Sequence, residues 1–250
     1  MRRLLIRPGA IGDVILSLPA LEHLKADYTE VWTPRALVPM IQFADNVFSL
    51  ASTRIDMVGV GDLPLPTGFA ERLRPFDEIV SWYGSNREAL NALHHRCVFH
   101  KALPPADWTA HASDFYAMQV GAPLGLVPKI AVQPTAPRKT IAIHPLSGGE
   151  RKNWPLASYH SLAEQLPLPV EWAQDRFDNL LDLAQWLAGA SLYIGNDSGI
   201  THLAAAVGVP TIAIFGPTDP RVWAPSAATV LTNPSLEDVL AAANRLLCSR

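Results

Sequence analysis

Two apolar runs, one ending at Ile194 and one spanning Thr211 to Phe215, flank a small-residue segment running from Asp197 to Gly208. Runs of that length around a stretch of helical length read as buried strand, helix, buried strand. Strands joined through a helix lie parallel, and a parallel sheet needs cover on both faces. This one unit confines the chain to the α/β class. Gly195 and Asn196 are read as the turn, Asp197 or Ser198 as the start of the helix, and Gly208 as its end. Gly199 falls in the first helical turn, where a missing side chain lets another molecule approach the backbone. The first N–H groups of a helix lack internal partners, and its aligned dipoles leave that end partly positive, which suits a phosphate. An ordinary N-cap by Asp197 is the plain structural alternative.

The alternation holds along the whole chain. Strands are expected at 4–7, 30–33, 46–50, 78–82 and 96–99, with helices at 12–24, 34–43, 68–73, 87–94 and 114–120 between or after them. The segment 126–139 holds Pro128, Pro134 and Pro137 without periodicity and reads as a break. Beyond it come strands at 140–144, 169–172, 192–194, 211–215 and near Val230, with helices at 156–166, 180–187 and 236–247. The reading is two parallel-sheet α/β domains, 1–127 and 140–250, joined by a linker at 128–139. Ligands of such sheets bind beyond the carboxyl ends of the strands, where the Gly-rich segments of this chain fall.

Composition excludes several classes. The chain has 250 residues, 49% of them hydrophobic, enough for one large or two small cores. Residues 1–139 hold 14 Lys/Arg against 13 Asp/Glu, and residues 140–250 hold 6 against 10, so no basic stripe suggests nucleic acid. An acidic second half must bind a diphosphate through local features; two of its basic residues, Arg151 and Lys152, follow the Gly148-Gly149 turn. Cys97 and Cys248 imply neither a disulfide framework nor a metal site. No run reaches the roughly 18–20 apolar residues of a membrane-spanning helix, and the opening Met1–Ile6 run breaks at Arg7-Pro8-Gly9, which reads as a first strand rather than a leader. A cytoplasmic protein is expected. No His/Cys/carboxylate cluster has metal-ligand spacing, so no metal cofactor is expected. A Gly-x-Ser-x-Gly elbow, a Walker-type loop and a Gly-x-Gly-x-x-Gly turn after the first strand are all missing, which argues against a serine hydrolase, a P-loop enzyme and an α/β oxidoreductase.

Three segments stand out in order: Arg7-Pro8-Gly9-Ala10-Ile11-Gly12-Asp13-Val14, continuing to Leu18-Pro19-Ala20-Leu21; His144-Pro145-Leu146-Ser147-Gly148-Gly149-Glu150-Arg151-Lys152-Asn153-Trp154-Pro155; and Asp197-Ser198-Gly199-Ile200-Thr201-His202 with Phe215-Gly216-Pro217-Thr218 downstream. Together they resemble the ADP-heptose:lipopolysaccharide heptosyltransferases, glycosyltransferase family 9. The resemblance implies a GT-B architecture, two Rossmann-like domains with a cleft between them for donor and acceptor. It implies an inverting glycosyltransferase that moves a heptose from ADP-heptose to a lipopolysaccharide-core acceptor, in the cytoplasm and with peripheral contact at the inner face of the inner membrane.

Residue by residue, the Gly12-Asp13 pair is the acceptor-side loop, and in the family such an aspartate is the general base. Capping the first helix is its structural alternative, since a carboxylate there is stabilised by the dipole. Lys152 matches the family's lysine and would offset charge on the leaving diphosphate; a solvated surface lysine is the bland alternative. Ser147, Gly148, Asp197, Ser198 and Gly199 complete the expected donor site. His202 lies one turn after Ser198 and faces the same pocket if Ser198 does; a buried structural histidine is nearly as good a reading. Thr218 and Asp219 are placed to close the site, Trp154 and Pro155 to pack, and Glu171 or Asp175 to substitute for the family's ribose-binding acid. The first domain is shorter than the family's and the 168–179 segment is compressed, which motivates a second reading: a non-catalytic nucleotide-sugar or glycan-binding module of the same fold.

Overall fold

The first sheet is built from β1 (Arg2–Ile6), β2 (Tyr28–Thr33), β3 (Asn46–Ser49), β4 (Glu78–Ser81) and β5 (Cys97–Phe99), all parallel, in the order β3-β2-β1-β4-β5. Between and after them lie α1 (Ile11–His23), α2 (Leu50–Thr53), α3 (Phe69–Leu73), α4 (Arg87–Leu93) and α5 (Ala112–Val120). The second sheet comprises β6 (Ile141–His144), β7 (Val170–Trp172), β8 (Leu192–Asn196), β9 (Thr211–Phe215) and β10 (Thr229–Thr232), again all parallel, in the order β10-β9-β8-β6-β7. Its helices are α6 (Leu156–Gln165), α7 (Leu180–Ala188), α8 (Gly199–Ala206), α9 (Pro220–Trp223) and α10 (Leu236–Cys248). This computed structural model describes residues 1–134, 136–173, 177 and 179–248.

Alternate residues of each strand serve opposite faces, and the core clusters show where each face goes. Leu4, Ile6 and Ile79 pack outward with Phe69, Leu73 and Leu90 of α3 and α4, while Leu5, Val31 and Val80 pack inward with Val14, Ile15 and Leu18 of α1. In the second sheet Ile141, Ile143, Ile194 and Ile212 pack outward with Tyr159 and Leu162 of α6 and Val239 and Ala243 of α10. Its inward residues, Ala142 and Tyr193, join the same cluster as Leu5 and Val31, with Leu187 of α7 and Leu203 of α8 between. One continuous core therefore runs through both sheets. The halves are welded by their facing helices.

The weld depends on glycine. A side chain at Gly199 of α8 would bring its Cβ within 2.6 Å of Ile11 Cβ, and one at Gly12 of α1 would reach 2.9 Å from His202 Cδ2. Real Cβ atoms do not approach so closely, so the starts of α1 and α8 touch because neither position carries a side chain. The 128–139 segment is no loose tether in its described part. Ile130 is buried, its N–H bonds Ala206 O (2.9 Å), and Ala131 N–H bonds Gln42 Oε1 (3.0 Å). His111 Nε2 bonds Ala224 O (2.7 Å), a further tie across the halves.

Several expectations are corrected. The 34–43 segment forms a 3-10 turn at Arg35–Met40 instead of a full α-helix, with Pro39 inside it lacking the N–H a helix needs. Gly195 and Asn196 are not a turn: they end β8, and Asn196 stays extended because its side chain bonds Pro145 O (2.6 Å), Trp154 N–H (2.9 Å) and Tyr159 OH (2.9 Å). The turn comes at Asp197-Ser198 instead. Helices α2 and α9, four residues each, were not anticipated.

Candidate active site

The turn from β1 into α1 needs Gly9, whose φ of +129° few side chains tolerate. Ala10 is the N-cap of α1 and offers no side-chain acceptor, so the cap contact comes from the other direction: Ala10 N–H donates to Asp13 Oδ2 (3.2 Å). Asp13 is thus a cap and also lines the cleft, with part of its carboxylate facing open space. Behind it sits Arg7, fully buried. Its guanidinium donates to Ser17 Oγ (2.9 Å), Pro8 O (2.9 Å), Ala102 O (3.3 Å) and the Asp13 backbone O (2.9 Å), and lies 4.7 Å over the Tyr116 ring. Burial pushes Arg7 down from its ordinary range, opposed by Tyr116 and Asp13. Burial pushes the Tyr116 phenol up to about 12, so it stays neutral beside the cation. The acidic loop is pinned from behind by a charged, buried side chain.

On the facing half, α8 starts with Ser198 as N-cap, its Oγ accepting the Thr201 N–H (3.4 Å). Thr201 Oγ1 in turn bonds Asn196 O and Tyr193 OH, which locks the turn. The N–H groups of Gly199 and Ile200 then point toward the cleft end of the helix without an intrahelical partner. The β6 loop closes over them. Its 3-10 turn, Glu150–Lys152, brings Lys152 Nζ to 2.7 Å from Asp197 Oδ2, with Lys152 39% exposed and Asp197 6%. Ser147 Oγ is spent inside that loop, its one proton shared between Gly149 O (2.9 Å) and Asn153 Oδ1 (2.7 Å) while it accepts from Gly149 N–H (3.3 Å).

These groups share one cleft of about 850 Å³ between the halves. Gly12 and Asp13 line it from the first half; Ser147, Gly148, Lys152, Asp197, Ser198, Gly199 and His202 line it from the second, and Thr218 joins them. The Gly12-Asp13 loop and the expected donor-site residues are therefore brought to one place. Two details differ from expectation. Lys152 is not a free cation but is held by Asp197, so Asp197 meets a lysine before any ligand. Ser147 contributes its loop more than its hydroxyl. His202 is buried, and desolvation holds its imidazole down at about 4, against the raising effect of Asp197 and with His111 and Lys152 lowering it further. It is a neutral ring in the cleft wall, both structural and cleft-facing.

Other candidates fall away from the cleft. Asp219 caps α9 and pairs with Arg221 (2.7 Å), whose hydrogen bonds hold the exposed carboxylate below its usual range. Glu171 accepts from Trp186 Nε1 (3.0 Å) and pairs with Arg138 (3.3 Å), a packing role at β7. Asp175 lies outside the described residues. Trp154 packs edge-on against Tyr159, as expected, and Pro155 is the N-cap of α6. Among the described residues no group of three or more His, Cys, Asp or Glu side chains is placed to hold a metal ion. Nor is any described helix long and apolar enough to cross a membrane. Sequence reasoning passed over Arg7, Leu103 and Trp223 and placed Asn196 in a turn; the one available signal was an arginine directly after the apolar Leu4–Ile6 run.

Residues 178–240, which include β8, α8 and β9, match the model of glycosyltransferase family 9 (heptosyltransferase). Over those residues the chain is similar to glycosyltransferase family 9. Among curated family relatives, lipopolysaccharide heptosyltransferase 1 of Pseudomonas aeruginosa is 36% identical over 93 residues, 28% of this chain and 26% of that protein. Lipooligosaccharide heptosyltransferase 2 of Haemophilus influenzae is 43% identical over 47 residues, 19% of this chain and 14% of that protein. The sequence matches thus span about a quarter or less of those relatives. The fold likeness is wider. A family 9 glycosyltransferase from Veillonella parvula superposes with a TM-score of 0.75 at 18% identity, covering 100% of this chain and 97% of the other. The E. coli heptosyltransferase WaaC solved with ADP gives 0.69 at 18% identity, covering 100% and 99%. The GT-B-like pair of parallel-sheet domains is therefore shared with family 9.

Proposed function

We propose that this chain is an inverting glycosyltransferase that moves a heptose from ADP-heptose to a hydroxyl of a lipopolysaccharide-core or related glycan acceptor. One observation carries the reading: a carboxylate at the start of α1 faces, across one cleft, a lysine and the unpartnered amides at the start of α8. Asp13 takes the proton of the acceptor hydroxyl as its oxygen attacks the anomeric carbon of the donor. The bond to the diphosphate breaks in the same displacement, which inverts that carbon and needs no covalent intermediate. Lys152, turning from Asp197 toward the departing phosphates, and the N–H groups of Gly199 and Ile200 take up the charge that develops there. Arg7 holds the Asp13 turn in register through the backbone and does not touch substrate.

The donor assignment draws on the relatives, one of which was solved with ADP. Domain roles follow: 1–127 receives the acceptor, 128–139 connects, and 140–250 holds the nucleotide sugar. Charge is neutralised by lysine and amides, so transfer is expected to be metal-independent, surviving excess EDTA within a factor of about two where loss of a Lewis acid would cost several kcal/mol. The protein would work in the cytoplasm, meeting its acceptor at the inner face of the inner membrane. The deciding experiment incubates the protein with ADP-heptose and a core-oligosaccharide acceptor, following ADP release and the anomeric configuration of the product by NMR. ADP release with inversion is expected. Tight ADP binding with no transfer to any acceptor would instead favour the non-catalytic binding module.

A further inference from the structure

Beyond Asp13 the cleft runs into a corner that the chemistry above leaves unused. Leu16 lies one helical turn along α1 on the face of Asp13. Leu103, in the loop after β5, and Trp223, the last residue of α9, complete the corner, and all three line the cleft with Asp13. Leu103 is 52% exposed, and Trp223 is partly exposed while its buried part packs with Leu16, Phe115 and Tyr116. The tryptophan thus bridges the halves, packing on that first-half cluster and also on the Ala213, Phe215 and Ala224 cluster of its own half.

The charge around this corner is one-sided. Among the described residues, those lining the cleft from the first half include the Asp13 carboxylate and no lysine or arginine. Arg7 stands behind the loop with its donors committed to Ser17 and three backbone carbonyls. Lys152, across the cleft, is paired with Asp197. A carboxylate brought here would leave water for apolar walls without a counter-charge, and would sit beside Asp13, which repels it. An uncharged sugar ring has the opposite balance: its C–H face stacks on an indole and its hydroxyl edge stays toward Asp13 and solvent.

We propose that Leu16, Leu103 and Trp223 form an acceptor subsite for an uncharged ring, and that this subsite selects against acceptors carrying a carboxylate on the ring that receives the sugar. The proposal rests on the reading of Asp13 as the acceptor's base. Its test is chosen to stand apart from transfer. Phenyl β-glucoside and phenyl β-glucuronide differ only in a CH2OH against a carboxylate, and each is titrated by NMR into the protein with and without saturating ADP. The glucoside is expected to bind in the presence of ADP at least tenfold more tightly than the glucuronide. Leu103→Ala and Trp223→Ala should each weaken the glucoside about tenfold, equivalent to ~1.4 kcal/mol, while leaving ADP binding unchanged; Trp223→Phe should recover most of the loss. Leu103→Ala alters an exposed side chain, so it keeps the test alive if Trp223→Ala fails to fold. Equal or tighter binding of the glucuronide, binding of neither glycoside, displacement of the glucoside by ADP, or wild-type affinity in Leu103→Ala would each overturn the proposal. A protein that binds the glucoside through Trp223 but no ADP loses the donor reading and keeps the subsite.

Discussion

The two halves use the same device, a parallel strand that turns directly into a helix whose start faces the cleft, yet equip it differently. At α8 the start is capped by Ser198, and the neighbouring β6 loop adds Lys152. At α1 the N-cap is Ala10, the cap contact is supplied by Asp13 reaching back, and the nearest cation is sealed behind the loop. Strand order explains part of the contrast. In β10-β9-β8-β6-β7 the chain direction across the sheet reverses between β6 and β8, so the loops bearing Lys152 and Asp197 leave adjacent strands at that switch point. In β3-β2-β1-β4-β5 the reversal lies between β1 and β4, and the β1 loop delivers one carboxylate. The same backbone geometry thus presents a lysine beside a helix start on one side and a lone carboxylate on the other, which the proposed function reads as a holder of anions and a holder of a base.

The sharpest way to break this division is to remove the proposed base alone. Asp13→Asn keeps the shape and the acceptor oxygen toward Ala10, so turnover should fall by roughly 10²–10⁴ while the fold remains. A variant that stays active and merely melts lower would leave Asp13 as a helix cap and erase the contrast between the two starts.

The wall where the halves meet offers a second handle. Unfolded, His202 takes up a proton near its ordinary pH of about 6.5; folded, it resists until about 4. The unfolded state therefore binds more protons between those values. The stability that His202 contributes is full above pH ~6.5 and is lost as pH falls toward 4, by at most about 1.4 kcal/mol per pH unit. Chemical denaturation between pH 7 and 4 should show the wild type losing roughly 2–3 kcal/mol more than His202→Gln. Parallel curves for the two proteins would place His202 in contact with solvent rather than in the seam.

A smaller effect probes the weld itself. Gly199→Ala puts a Cβ against Ile11 and should cost about 1–3 kcal/mol of stability, as overpacking does, and should weaken ADP binding by spreading the two helix starts. Unchanged stability and affinity would mean that the halves rest together without that contact mattering.

Most of the architecture was legible because parallel strands buried on both faces read as short apolar runs, and strand β9 matched residue for residue. Elements of three or four residues were not, since α2 and α9 are too short to show a period and are held by tertiary contacts. The site residues were legible as motifs, but their pairings were not. Nothing local tells Lys152 that its partner is Asp197, or tells Arg7 that it will be buried whole. Asn196 looked like a turn residue because asparagine is common in turns; a carbonyl from the β6 loop, distant in sequence, keeps it in the strand. Trp223 carried no signal, because its place in the cleft depends on α9 reaching across to α1 and α5.

The claim that one half holds the diphosphate and the other performs the chemistry is tested most directly by calorimetric titration of ADP into the wild type, Asp13→Asn and Lys152→Ala side by side. The wild type and Asp13→Asn should bind ADP with affinities within about threefold of each other, and Lys152→Ala should bind at least tenfold more weakly, a loss of ~1.4 kcal/mol or more. The reverse pattern, with ADP affinity lost in Asp13→Asn and kept in Lys152→Ala, or no binding of ADP to any of the three, would contradict the account.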